Sequence, residues 1–213
     1  MSHEKTSHYF DAAPSASSRP KEIACRFDGI DFIFDTDSGV FSRNRPDFGS
    51  ELLLETFIAR RKAGLAQGLH VLDLGCGYGL VGTVVKRVFP EVAMTMADIN
   101  ARAVSLAASN AAKNLIRYAD IRISDAFAEI PGTFDIVLTN TPVRAGKKTV
   151  FRFYEESYEH LNDGGSLFVV IQKKQGAPSS TEWLEHRFGN CTVVAKSAGY
   201  RVLMSIKKGT ATS

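Results

Sequence analysis

From His70 onward the chain alternates short apolar runs with amphipathic ones, and that alternation restricts it to one fold class. HVLDL (70–74), VAMTMADI (92–99), IRISDA (121–126), FDIVLTN (134–140) and SLFVVIQ (166–172) have the length and apolar content of buried strands. Between them GLVGTVVKRVF, NARAVSLAASNAAKNL and VFRFYEESYEHL read as helices, the second with Asn100 as its N-cap. Strand, helix, strand in succession implies a parallel sheet covered by helices on both faces and connected right-handedly. The end of the chain breaks the pattern. STEWLEHRF is a helix, and CTVVAK and YRVLMSIK after it are separated only by Ser197, Ala198 and Gly199, which forces an antiparallel hairpin at one edge. The expected fold is therefore α/β and Rossmann-like, with seven strands, mostly parallel, and an antiparallel C-terminal hairpin.

The segment before His70 adds a smaller element. EIACRFDGIDFIFDT carries Asp28-Gly29 between two alternating apolar runs, a strong hairpin signal. GVFSRNRPDFGS is an irregular connection, and ELLLETFIARRKAGL an amphipathic helix capped by Asp47 or Ser50. Residues 1–20, small, polar and proline-containing, read as a flexible arm. The organisation expected is that arm, one domain over 21–208 with the hairpin extension at 21–47 and the catalytic core at 48–208, and a short tail at 209–213. A chain of 213 residues, 44% apolar and 23% charged, is long enough for one well-buried core, and its bulk suggests neither disorder nor a fibre. A net charge of +3 permits an anionic partner without demonstrating one. Cys25, Cys76 and Cys191 form no CxxC pair or Cys/His cluster, so no metal site is expected and a reducing compartment is the simpler reading. With no apolar signal core and no run long enough to span a bilayer, a cytoplasmic location is expected.

Chemistry concentrates in VLDLGCGYGLVG. Glycines at 75, 77, 79 and 82 between a strand and a helix let a ligand approach the backbone and leave helix N–H groups pointing at it. Residues 77–82 formally match the dinucleotide fingerprint GxGxxG. Asp73 argues against that ligand, because a carboxylate there repels a pyrophosphate and suits a cationic or amine-bearing molecule. Asp98 ends the next strand, where an acid can accept from both hydroxyls of a ribose, and Asp125 follows the third strand at the same sheet edge.

The D-x-G-x-G-x-G loop, the later acid and the Asn-x-Pro after the fourth strand resemble a class I S-adenosylmethionine-dependent methyltransferase. GVFSRNRPDFGSELLLETF, NTPVRAGKK and VVIQKKQGAPS narrow the resemblance. Together they are similar to the methyltransferase small domain family, whose members include ribosomal small-subunit RNA guanine-N2 methyltransferases, and specifically to its short, single-domain members. The resemblance implies S-adenosylmethionine as cofactor, with Asp73, Gly75, Gly77 and Gly79 around its methionine part. Asp98 would take the ribose, and Asp125 with Ala126 the adenine. It implies RNA as partner, with transfer to an exocyclic amine, in first place guanine N2 of small-subunit ribosomal RNA.

An exocyclic amine is a poor nucleophile because its lone pair is delocalised into the base. Two carbonyl acceptors on its N–H groups favour pyramidalisation and hold it in line. In this reading Asn140 is the first acceptor and also borders the cofactor, the main chain at Thr141 is the second, and Pro142 stiffens the turn. The family usually has Asn-Pro-Pro followed by an aromatic or aliphatic residue. Thr141 in place of the first proline implies looser preorganisation, and Val143 cannot stack on a base, which leaves Phe10, Phe41 or Phe48 for stacking. Arg144, Lys147 and Lys148, with Lys173 and Lys174 after the next strand and Arg43 and Arg45 upstream, are candidate phosphate contacts. Trp183 and the hairpin phenylalanines read as packing, and Cys76 as a small filler. Adenine N6 and protein glutamine amides are the alternative acceptors, since the motif itself does not separate amine from amide. A nicotinamide oxidoreductase and a weakened cofactor-binding protein are the readings outside active methyl transfer.

Overall fold

The computed structural model describes residues 19–38, 40, 45–61 and 66–209. Its elements are β1 (Lys21–Phe27), β2 (Ile30–Thr36), α1 (Phe48–Arg60), β3 (His70–Leu74), α2 (Leu80–Val88), β4 (Ala93–Asp98), α3 (Ala101–Lys113) and β5 (Asp120–Ile123). There follow β6 (Phe134–Asn140), α4 (Lys147–His160), β7 (Leu161–Gln172), α5 (Ala177–Phe188), β8 (Thr192–Ser197) and β9 (Tyr200–Ile206). Strands β3 to β9 form one seven-stranded sheet in the order β5-β4-β3-β6-β7-β9-β8. Pairing is parallel from β5 across to β7, while β9 runs antiparallel to both its neighbours, against β8 as the two-residue link Ala198-Gly199 requires.

Alternation along the strands divides the core in two. Val71, Ile136, Leu138, Phe168 and Val170 face one side with the apolar stripes of α1, α2 and α3. Leu72, Val137, Leu167, Val169 and Ile171 face the other side with α4 and α5. Trp183 is packing, as read from the sequence: it lies 5.7 Å from both the Phe151 and the Tyr154 rings.

Helix α1 starts earlier than its apolar pattern suggests. Of the two cap candidates the fold uses Asp47, whose Oδ2 accepts the Ser50 N–H at 3.1 Å. The expected end of this helix at residues 62–65 lies outside the described residues, as do most of the expected N-terminal arm and the C-terminal tail.

The hairpin β1–β2 turns on Asp28 and Gly29, both at positive φ as a two-residue loop demands. Ile23, Phe27, Phe32 and Phe34 are its buried face and join the core on the α1–α3 side; such burial stabilises by about 1.5–3 kcal/mol per side chain. The open edge of β2 is taken by helix α3. Asn114 accepts from the Ile33 N–H (3.0 Å) and donates to its carbonyl (2.7 Å), and Asn110 does the same at Asp35 (2.7 and 2.9 Å). Four residues of helix rise about 6 Å and two of strand about 6.7 Å, so two asparagines one turn apart match two strand residues facing the same way. These side chains stand where a third strand would pair.

Candidate active site

The sheet order reverses between β3 and β6, and the crevice beyond their carboxyl ends is where such sheets bind ligands. A cavity of about 360 Å³ opens there, within the range of small-molecule sites. Asp73, Gly75, Gly77, Asp98, Asp125 and Ala126 of the expected cofactor set line it, together with Asn140, Thr141 and Pro142. Gly79 does not. It is the left-handed N-cap of α2 (φ 85°), and a Cβ there would stand 2.9 Å from that of Ala107, so its smallness seats the loop on α3. At Gly77 (φ 54°) an added Cβ would meet nothing within 4 Å, so the main chain there is open to a ligand.

Two acids stand at the deep end. Asp73 is 2% exposed, and its Oδ2 accepts the Gly82 N–H at 2.8 Å. Burial lifts its carboxyl to about 7; the Gly82 bond pulls it down and the charge of Asp98 adds to the rise. Asp98 is raised too, chiefly by burial, while its bonds from Asn100 N and Gly77 N (both 2.9 Å) oppose the shift. Cys76 beside them is buried, and desolvation with the charges of Asp73 and Asp98 pushes its thiol well above the usual value. It is a filler with no nucleophilic character.

At the β5 end Asp125 forms a two-point ion pair with Arg152, which also lines the cavity and faces Glu156 at 3.6 Å. Glu156 in turn accepts the N–H of Phe127 at 3.1 Å, next to Ala126, which is buried at φ 51°. Arg152 is a wall residue that sequence reasoning missed. It sits on α4, 27 residues from its partner, with no motif to mark it.

At the β6 end the Asn140 amide is held by α1. Its Nδ2 donates to Asp47 Oδ2 (2.8 Å) and to Ser50 Oγ (2.9 Å). Both N–H groups are thereby used, which leaves Oδ1 for a molecule in the cavity. Pro142 (φ −77°, ψ 63°) is the centre of an inverse γ-turn closed by Val143 N–H to the Thr141 carbonyl at 2.8 Å. Thr141, which stands where the family usually has proline, has two contacts of its own. Its N–H donates to Val170 O (3.3 Å), a bond no proline could make, and its hydroxyl lies 3.4 Å from Tyr154 Oη.

The expected basic residues divide. Lys148 lines the cavity; Arg144, Lys147, Lys173 and Lys174 are exposed beyond it, with Lys147 Nζ over the Phe151 ring at 5.2 Å. Phe48 packs on Tyr200 (5.5 Å), while Phe10, Phe41 and Arg43 lie outside the described residues. Among the described residues no group of three or more His, Cys, Asp or Glu could hold a metal ion, and no helix is long and apolar enough to cross a membrane.

The profile of the Methyltransferase small domain matches residues 31–204. The chain belongs to the methyltransferase small domain family. Within it, the chain is 43% identical to "Uncharacterized protein YbxB" of Bacillus subtilis (strain 168), over 94% of this chain and 98% of that one. It is 35% identical to the Ribosomal RNA small subunit methyltransferase C of Pasteurella multocida (strain Pm70), over 77% of this chain and 48% of that protein. Among solved structures it resembles the T. thermophilus 16S rRNA N2 methyltransferase RsmC, in complex with AdoMet and guanosine. That likeness has a TM-score of 0.79 and 28% identity, over 92% of this chain and 52% of the other. The chain spans about half the length of these small-subunit methyltransferases.

A methyltransferase of this family depends on S-adenosylmethionine, and the cavity of the small domain fits that molecule. The cofactor carries an ammonium and a sulfonium. The deep wall offers two buried acids whose raised carboxyls are relieved by a cation, and main chain at Gly77 open to a ligand. A pyrophosphate would meet the same acids as like charge.

Proposed function

We propose that this protein methylates an exocyclic amine of RNA, in first place guanine N2 of small-subunit ribosomal RNA. The observation that carries the reading is the orientation of Asn140, whose amide is fixed from behind so that a carbonyl oxygen is presented to the cavity. When bound, S-adenosylmethionine supplies an electrophilic methyl group on its sulfonium sulfur.

The chain's residues bind and orient. Asp73, Gly75 and Gly77 hold the methionine end, with Gly79 seating their loop; Asp98 holds the ribose, and Asp125 with Ala126 the adenine. Asn140 Oδ1 accepts one N–H of the substrate amine. The Thr141 carbonyl, which keeps one lone pair after serving the γ-turn, accepts the other, and Pro142 fixes the angle between them. Two acceptors on one amine favour its pyramidal form and stabilise the positive charge that grows on nitrogen. No protein base is required, because the proton released on N–C bond formation is lost to water.

Lys148 at the cavity and Arg144, Lys147, Lys173 and Lys174 around it suit phosphates flanking an unpaired or extruded base. Support for guanine over adenine comes from the relatives named for small-subunit RNA and from the guanosine bound in the T. thermophilus structure. Residues 21–208 act as one catalytic unit in this reading, with the hairpin docked on it.

The test is incubation with methyl-labelled S-adenosylmethionine and small-subunit ribosomal RNA from cells lacking this protein, followed by nucleoside analysis. Label in N2-methylguanosine is expected. Label in N6-methyladenosine, or in a glutamine of ribosomal protein added alongside, would replace the substrate; no transfer to either would reject the reading.

A further inference from the structure

We infer that Asp47 is a positioning residue for methyl transfer, acting through Asn140; the inference rests on the proposed role of Asn140 as acceptor of the substrate amine.

An asparagine amide has two faces of similar shape and opposite chemistry, and a site that must accept protons needs the carbonyl outward. Nothing within FDIVLTN decides which way it turns. The decision comes from α1, 93 residues earlier in the chain. Asp47 Oδ2, a carboxylate oxygen that can only accept, takes one N–H of Asn140 Nδ2 at 2.8 Å, and Ser50 Oγ takes the other at 2.9 Å. Turning the amide over would set its carbonyl against the carboxylate and leave that oxygen only the Ser50 N–H. Asp47 is itself fixed twice, since the same Oδ2 accepts the Ser50 N–H as the helix cap and its carbonyl accepts Glu51 N–H at 2.9 Å. Gly49 makes the room: a Cβ there would lie 2.8 Å from Asp47 Oδ2 and 3.0 Å from the Tyr200 ring.

The arrangement also carries charge. A carboxylate behind the amide polarises it towards Oδ1, and its negative charge lies one side chain away from the amine on which positive charge grows. Asp47 therefore does more than begin a helix. It selects the amide orientation and strengthens the acceptor.

Capping and positioning are separable, because serine caps a helix well but is too short to reach Asn140. Asp47→Ser is expected to lower kcat on small-subunit ribosomal RNA by roughly ten- to a hundredfold, as small misplacements of reacting groups do, with KM for RNA and affinity for S-adenosylmethionine kept. A reciprocal exchange is independent of any loss of folding in that variant. Asn140→Asp alone sets two carboxylates against each other and is expected to be inactive. Asp47→Asn with Asn140→Asp restores an amide donor behind and an acceptor in front, and is expected to regain at least about tenfold over Asn140→Asp. Wild-type kcat in Asp47→Ser, or no recovery in the exchanged pair, overturns the inference. Asn140→Ala measured alongside separates the two levels. If it is inactive while Asp47→Ser is fully active, only the positioning role fails; if it turns over at the wild-type rate, the proposed acceptor role fails and this inference with it.

Discussion

In the proposed binding mode Asp73 couples the protonation of one carboxyl to the binding of a cation. Buried and raised to about 7, it holds its proton in the folded, cofactor-free protein over a range where an unfolded aspartate, near 3.9, has lost it. The folded state then binds more protons than the unfolded one between about pH 4 and 7, so through this group stability falls as pH rises across that window. An incoming ammonium prefers the ionised form. Affinity for S-adenosylmethionine is therefore expected to weaken as pH falls below about 7, by up to tenfold per unit. Calorimetric titration between about pH 5.5 and 8 reads this directly, and Asp73→Asn should bind more weakly with the slope removed. A flat profile in the wild type would show that Asp73 does not face the cation. At this scale the sequence was half legible. The acids and glycines announce themselves because their spacing is local, whereas the partners that orient them are remote. Asp47 reads as a cap and Arg152 sits in no motif, and only the folded chain sets one behind Asn140 and the other on Asp125.

The strand–helix alternation told the element order because each period is a property of a few neighbouring residues, and the DG hairpin was visible for the same reason. What holds the hairpin to the domain was not. Asn110 and Asn114 lie inside α3, where asparagine is an indifferent helix former, and their purpose depends on a strand about 75 residues away. Asn110 joins three elements, since its Nδ2 bonds both Asp35 O and Tyr78 O (2.9 Å each), the second in the glycine loop. Asn110→Ala would leave Asp35 N–H and two carbonyls without this partner. It is expected to destabilise by about 2–3 kcal/mol in urea unfolding and to weaken cofactor binding as the loop loosens. Asn114→Ala, which does not touch the loop, should cost stability with cofactor affinity little changed. Equal effects of the two on affinity would argue against coupling through Tyr78.

Across the whole molecule a net charge of +3 gives little long-range steering, so the proposed RNA binding requires cations placed at the site. Lys147 and Lys148 begin α4 at the cavity mouth, where positive charge opposes the helix dipole and gains nothing for the helix itself. Neutralising both, Lys147→Gln with Lys148→Gln, is expected to weaken RNA binding in filter or fluorescence titrations. The dependence of log affinity on log salt should become shallower by up to about 1.4, the share of two phosphate contacts on single-stranded RNA. Cofactor affinity should stay within a few-fold; an unaltered salt slope would place the RNA elsewhere.

The proposed chemistry turns on one side chain, and Asn140→Ala tests it. With S-adenosylmethionine affinity measured on the same preparation, single-turnover methyl transfer to small-subunit ribosomal RNA should fall by on the order of a hundredfold or more while the cofactor still binds. Transfer at the wild-type rate with the amide gone would contradict the account.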